Sequence, residues 1–371
     1  MSEFYPTLNT RSPAQWDEFI QSRTLRDVHQ ALNRAPQCSI NDLAALLSPA
    51  AQSELETMAR LSQQITQRRF GKTIQLYVPL YLSNTCHNVC TYCGFSLGNK
   101  TNRITLTPEE ILREGLRLKE LGFKHILLVT GEDHRVDRDY FLMAIKTLKP
   151  LFSQISLEVQ PLSLEDYTIL QNQGLHAVYL YQETYHEQIY KQVHLRGKKS
   201  FFDHRLEVPD LLGKAGIHKI GLGCLLGLAP WRVDALYLAL HLQHLEKRYW
   251  KSKFSISFPR LRPAEGGFTP AFPVSEKNLL QIICAYRIFN ENVELALSTR
   301  ESPFFRNNAL SLGITTMSAG SRTNPGGYGE HTDALEQFSI SDERSPIQVA
   351  QSIQQQGYEA VWKDWDTVLA N

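Results

Sequence analysis

Three cysteines stand in the run Cys86-His87-Asn88-Val89-Cys90-Thr91-Tyr92-Cys93-Gly94, a C-x3-C-x2-C spacing that follows directly on a strand-like stretch over 75–83. Three thiolates on one short loop suit an iron–sulfur cube, because each sulfur can reach a different iron. The fourth iron is then left without a protein ligand and open to a reactant, so the loop reads as a catalytic site. A structural zinc needs a fourth ligand, usually from a second C-x2-C or H-x3-H pair. The chain has no such pair, and His87 adjoins Cys86 too closely to share its metal. An electron-transfer ferredoxin carries a fourth cysteine near its run. A disulfide framework does not suit 371 residues with six cysteines, three of them packed into eight residues.

C-x3-C-x2-C with an aromatic residue before the last cysteine, here Tyr92, is the signature of the radical S-adenosylmethionine (SAM) superfamily, and the resemblance runs well beyond the motif. The runs YVPLYLSNTCHNVCTYCGF, LLVTGE, LEVQPL, YQETYH, KIGLG, SFPRLRP, LSTRESP and VWKDWD follow in order from about residue 70 to the C-terminus. Together they resemble the tyrosine lyases of thiamine biosynthesis, the 2-iminoacetate synthase family. The related lyases that mature [FeFe]-hydrogenase carry further cysteines in a C-terminal extension. Here the last cysteine is Cys284, which favours the thiamine branch. The resemblance implies a [4Fe-4S] cluster on Cys86, Cys90 and Cys93, with SAM bound at the open iron. It implies cleavage of the Cα–Cβ bond of L-tyrosine to 2-iminoacetate and p-cresol, with SAM reduced to methionine and 5′-deoxyadenosine. Hand-off of the imine to a thiazole synthase and a flavodoxin-type electron donor are implied as well. The choice of tyrosine over tryptophan rests wholly on the resemblance.

The elements that must position this loop alternate along the chain. Strands are predicted over 75–83, 125–131, 155–160, 177–183, 218–225, 254–259, 293–299 and 314–318. Helices are predicted between them over 108–121, 138–149, 163–172, 204–215, 231–249, 275–290 and 303–311. Thr107-Pro108-Glu109-Glu110 has N-cap, N1 proline and acidic first turn in order. Eight strand slots separated by helices point to an α/β fold, a (β/α)8 TIM-type barrel over 71–318. Ile155, Leu157 and Val159 alternate with Ser156, Glu158 and Gln160, and 254–259 and 295–300 repeat the pattern, as expected for a sheet around a polar chamber. Residues 1–70 read as an N-terminal helical extension capping one end of the core. Residues 319–371 read as a lid loop followed by a helix near 346–356 and a tail that closes the wall. Pro79 within the first strand is expected to mark a local irregularity.

Active sites of such barrels sit at the C-terminal strand ends. Thr130, Gly131 and Glu132 end the second strand, and by resemblance this turn contacts the amino group of SAM; the plain alternative is a tight turn with a surface acid. Glu183 is expected to end the fourth strand and Arg205 to open the next helix. A carboxylate and a guanidinium there suit the two ends of a zwitterionic amino acid, and the resemblance assigns them, with Tyr92, to SAM. The alternative for the pair is a structural ion pair at the rim. Arg300, ending the seventh strand and lumen-facing by parity, and Ser318, ending the eighth, are assigned to the tyrosine carboxylate, with Arg322 either assisting or a solvated loop residue. Arg260 and Arg262 either contact substrate or order their loop, and Lys198-Lys199 reads as a solvated face. Cys38, Cys224 and Cys284 sit in apolar surroundings and read as packing residues. Glu158 is lumen-facing, and the base for the phenol is not identified.

Composition excludes several classes. A net charge of +1 gives no argument for nucleic acid or an anionic membrane surface. The longest apolar stretch, 220–231, is too short to span a bilayer. The N-terminus carries Glu3, Asp17, Glu18 and Asp27 with no apolar run, so a cytoplasmic protein is expected, in a compartment reducing enough for clustered thiols. Two other readings stay open on sequence: another tyrosine-using radical SAM enzyme of the deazaflavin-cofactor synthase type, and a zinc-binding interaction protein.

Overall fold

A computed structural model describes residues 2–363. Its strands are β1 (Thr73–Ser83), β2 (Val89–Cys90), β3 (His125–Thr130), β4 (Gln154–Glu158), β5 (Leu175–Tyr179), β6 (His194–Arg196), β7 (Lys219–Gly223), β8 (Lys253–Ser257), β9 (Glu294–Leu297), β10 (Thr316–Ser318) and β11 (Glu359–Val361). Eight of them pair in parallel in the order β1-β3-β4-β5-β7-β8-β9-β10, and β10 pairs back onto β1 through Gln75↔Thr316 and Tyr77↔Ser318, closing the barrel. The alternation read from sequence explains the closure. In β1, Ile74, Leu76, Val78 and Leu80 pack outward into the core shared with the helices, while Tyr77, Pro79 and Tyr81 line the lumen. The same split holds for Leu157 against Glu158 and for Ile256 against Ser257.

Several details depart from expectation. The strands stop earlier at their C-terminal ends than predicted, at Tyr179, Gly223, Ser257 and Leu297. Glu183 and Arg300 therefore lie beyond β5 and β9, on irregular chain at the barrel mouth. Beyond Tyr179, β5 is continued only by the Leu180 amide on Gly221 O and the isolated parallel bridge Glu183↔Cys224, and Glu183 itself stands in the left-handed region with φ 70°. Pro79 lies within regular β1; the register shift comes at Tyr81–Ser83. Tyr77 O accepts from Ala319 N, so alternation turns the backbone of residue 79 to the same side, where β10 has already ended. Its missing N–H therefore has no ladder partner to lose.

The N-terminal helices run from Tyr5–Leu8 to Leu55–Phe70, and the last of them reaches the turns that lead into β9 and β10, through Arg68–Glu291 and Ser62 Oγ donating to Leu312 O (2.8 Å). They lie against the outer helices Trp231–Arg248 and Glu276–Phe289. The second of these is buried on nearly all sides, so it needs an outer cover as well as the sheet. Gln281 stitches the two layers, donating to the carbonyls of Leu46 (2.9 Å) and Ser48 (2.8 Å). The tail was expected to close the wall; instead β11 adds a short parallel strand to the start of β1, Thr73↔Glu359 to Gln75↔Val361. Residues 364–366 of the VWKDWD run lie outside the described residues. No helix among the described residues is long and apolar enough to cross a membrane.

The segment 319–345 crosses the barrel mouth and is pinned at intervals: Ser339 N donates to Pro263 O, and Ser341 N and Asp342 N to Thr299 O. Its far end is held by a fully buried ion pair, Arg306–Asp342, and Arg306 also donates to Ser318 O at the end of β10. Removing one partner of such a pair strands a charge and costs ~3–5 kcal/mol. Asp342→Ala is expected to lose about that much unfolding free energy in urea titration. Arg344→Ala removes the outer, partly exposed partner of Asp342 and is expected to lose under ~1 kcal/mol.

Candidate active site

The loop between β1 and the first barrel helix is organised by Arg103. Its guanidinium donates to the carbonyls of Asn84 (2.7 Å), Phe95 (2.8 Å), Ser96 (2.8 Å) and Asn99 (3.1 Å), so one rigid fork ties both ends of the loop together. Within it Leu97 N donates to Asn88 O (2.8 Å) and Cys90 N to Ser96 Oγ (3.2 Å), and Cys90 pairs with His194 of β6. Backbone amides also point at the sulfurs: those of Asn88 and Glu132 at Cys86, and that of Phe95 at Cys93. Gln337 Nε2 lies 3.9 Å from Cys93 Sγ. Burial pushes all three thiols up, so they hold their protons until a metal takes them as thiolates.

These residues fit an iron–sulfur cluster. Among the described residues the three side chains gathered tightly enough for a single ion are His87, Asp133 and His134, whose ligand atoms lie within 4.8 Å of one another. The cysteines are not drawn together in that way, which suits one thiolate per iron of a larger group. Amide donors on the sulfurs are what the negative charge of such a group calls for.

The turn after β3 is laced to this loop. Gly131 N donates to Ser83 O and His87 N to Glu132 O, each at 2.9 Å. A Cβ at position 131 would lie 2.2 Å from Thr85 O, so only glycine lets the two segments approach. The Glu132 carboxylate is half-buried and paired, not a free surface acid: it accepts from Asn88 Nδ2 (2.8 Å) and Arg205 (2.9 Å). Arg205 Nε donates to Tyr181 O (2.6 Å), and its other arm lies 3.8 Å from Glu183, which in turn accepts from Lys199 Nζ at 2.7 Å. Burial alone would raise Glu183, but Lys199 and Arg205 outweigh it and hold the carboxyl below its usual range. Asp234 fixes the chain just beyond, accepting from Thr184 Oγ1 (3.0 Å) and Tyr185 N (2.8 Å). Tyr92 hydrogen-bonds His194 Nε2 at 2.7 Å and presents its ring to Lys199.

The mouth holds two adjoining cavities. Glu158, Tyr181, Glu183, Lys199 and Gln337 line both, so they form one chamber with a waist. Cys86, Cys90, Thr130, Gly131, Glu132 and Arg205 face the inner half, hereafter the cluster half. Thr130 Oγ1 is buried without a hydrogen-bond partner among the described residues, an unmet group that a ligand there would satisfy. Arg300, Ser318 and Tyr92 face the other half, with Tyr77, Tyr81 and Phe338. The Arg300 guanidinium lies 3.3 Å above the centre of the Phe338 ring, and its one hydrogen bond is a long contact of 3.4 Å to Arg260 O. Ser318 Oγ accepts from Thr299 N at 3.1 Å.

All the sequence-predicted site residues thus gather around one chamber, except Arg322, whose side chain is exposed and absent from its walls. Arg260 orders its loop, pairing with Glu301 and donating to Val274 O (2.9 Å), whereas Arg262 lines the chamber. Lys199 is a correction: it is turned inward onto Glu183, while the solvated-face reading suits Lys198 alone. Arg103, Asn88, Gln337 and Phe338 were not singled out. Their partners lie on other segments, and no spacing rule announces them.

The chain's family relations agree with this geometry. The family model of the radical SAM superfamily matches residues 80–239, and that of the biotin and thiamin synthesis associated domain matches 257–359. The 2-iminoacetate synthase of Salmonella typhimurium is 52% identical over 360 residues, covering 96% of this chain and 95% of that protein. That of Escherichia coli is 50% identical over 359 residues, with 95% of each covered. Among solved structures, HydG, a maturase of the [FeFe]-hydrogenase, superposes with a TM-score of 0.90 at 32% identity, over 95% of this chain and 79% of that one. With near-complete coverage at this identity, the chain belongs to the 2-iminoacetate synthase family of radical SAM enzymes.

Proposed function

We propose that the chamber carries out the lyase reaction of this family, cleaving the Cα–Cβ bond of L-tyrosine to 2-iminoacetate and p-cresol and so supplying the thiazole moiety of thiamine. The observation that carries this reading is the single waisted chamber, with three thiols on one side and, on the other, a half-buried arginine that makes no ion pair among the described residues. Cys86, Cys90 and Cys93 would hold a [4Fe-4S] cluster. Thr130, Gly131, Glu132, Glu183 and Arg205 surround the space for SAM, with Tyr92 reaching toward it only from the other half, beside Lys199. When bound, the cluster and SAM supply a one-electron cleavage that leaves methionine and a carbon radical able to abstract hydrogen.

The chain's own residues bind and orient the substrate. Burial pushes the Arg300 guanidinium down, and it makes no ion pair among the described residues. A cation drawn partly out of water without an anion is unfavourable, so a carboxylate beside it is favoured. Ser318 Oγ, with Tyr77 hydrogen-bonded to it, is the neighbouring hydroxyl for the same group. The segment 319–345 keeps water from the chamber, which protects a radical step from side reactions. The imine product hydrolyses readily, so hand-off to a thiazole synthase and a flavodoxin-type electron donor belong to the same reading.

Anaerobic reconstitution with iron and sulfide, followed by SAM, dithionite and L-tyrosine, should give 5′-deoxyadenosine and p-cresol together, and neither with Cys90→Ala. Carbon monoxide should not form. 5′-Deoxyadenosine without p-cresol would refute the substrate assignment alone. Gly131→Ala should lose most of its bound iron by metal analysis while still folding, because the added methyl pushes Thr85 and the cysteine loop aside. Arg300→Lys should raise KM for tyrosine by about tenfold or more, the cost of a lost bidentate partner at ~1.5–3 kcal/mol.

A further inference from the structure

Glu158 ends β4 at the waist and faces both halves of the chamber. Glu183, the other carboxylate there, is held by Lys199 at 2.7 Å. Glu158 makes neither a hydrogen bond nor an ion pair among the described residues, although its side chain is enclosed by protein except toward the chamber. Lys199, Arg205 and Arg300 act on it only through space, as do Glu183 and the hydroxyls of Tyr77, Tyr81, Tyr179 and Tyr181. An unpartnered carboxylate in such a place needs a cation.

The substrate of the proposed reaction, on which this inference rests, brings one. An α-amino acid carries its ammonium one carbon from its carboxylate. With the carboxylate at Arg300 and Ser318, the ammonium must find its anion within the same chamber, and Glu158 is the one left uncommitted. We propose that Glu158 binds the substrate ammonium and accepts one of its protons, turning the amine toward the cluster half. One N–H bond of the ammonium breaks, its electron pair stays on nitrogen as the lone pair, and the proton bonds to a Glu158 oxygen. The neutral amine keeps two N–H bonds, which supply the hydrogen abstracted in the lyase reaction. Burial first, and Glu183 next, raise the Glu158 carboxyl to about 7, which brings it nearer to an ammonium and eases the transfer. Charge complementarity then sets the substrate's direction: carboxylate outward, nitrogen toward the cluster half, ring in the tyrosine-lined remainder.

Anaerobic equilibrium binding to the reconstituted enzyme with SAM and no reductant tests this with three ligands. L-Tyrosine carries both charges, tyramine the ammonium alone, and 3-(4-hydroxyphenyl)propanoate the carboxylate alone. Glu158→Gln is expected to weaken tyrosine and tyramine at least tenfold and to leave the propanoate within about twofold of wild type. Glu158→Asp, which keeps the carboxylate, should fall between wild type and Glu158→Gln for tyrosine. Iron content and melting temperature should match wild type in both variants. Equal weakening of all three ligands, or unchanged tyrosine affinity, overturns the proposal while leaving the lyase reading intact. A wild-type enzyme that binds no tyrosine overturns both.

Discussion

The chamber depends on a largely buried line of alternating charge, Lys199–Glu183···Arg205–Glu132. Each member comes from a different segment: the turn before the fourth barrel helix, the chain beyond β5, that helix itself and the turn after β3. Glu132 extends the line to the cysteine loop through Asn88. Buried ion pairs add little net stability, because desolvation consumes most of the attraction. They do penalise misplacement heavily, since any segment that moves strands a charge. The line therefore acts less as a source of stability than as a template. It fixes where the ends of β3 and β5, the fourth barrel helix with the turn before it, and the cysteine loop stand relative to one another, and it brings the interior charge close to balance before any ligand arrives.

Backbone strain is spent at the same place. Glu183 alone among the non-glycine described residues has a positive φ. A left-handed conformation of this kind costs ~1–3 kcal/mol. Asp234 over-determines it by holding Thr184 and Tyr185, and Lys199 draws the side chain inward. The barrel contributes the rigid surroundings that make such a conformation affordable, and the conformation aims the carboxylate at the waist of the chamber.

How much of this was legible follows from the range of the forces involved. The eight strands and their inward and outward faces could be read because alternation is local and the barrel buries both faces. Ser318 and Thr130–Glu132 were placed correctly since they sit where ladders end cleanly. Glu183 and Arg300 were assigned to strands that had already stopped, because the point where ladder bonds cease leaves no mark on hydrophobic periodicity. Lys199 was misread beside Lys198: two adjacent lysines look like a solvated face, yet Gly197 (φ 94°) and the short turn after it send the second one inward. β11 was missed because a three-residue strand has no period to recognise.

Gly94 shows how far such long-range dependence reaches. A Cβ there would sit 2.5 Å from Glu336 O, and the Gly94 amide donates to Gln337 O. The contact joins the part of the chain matched by the radical SAM model to the part matched by the biotin and thiamin synthesis associated domain, between segments some 244 residues apart. Position 94 can take no larger residue unless the backbone of 336–337 moves away. A hybrid assembled from two distant relatives at the natural seam between these parts would inherit a cysteine loop from one parent and its cover from the other. Its solubility would say little about whether the two still meet.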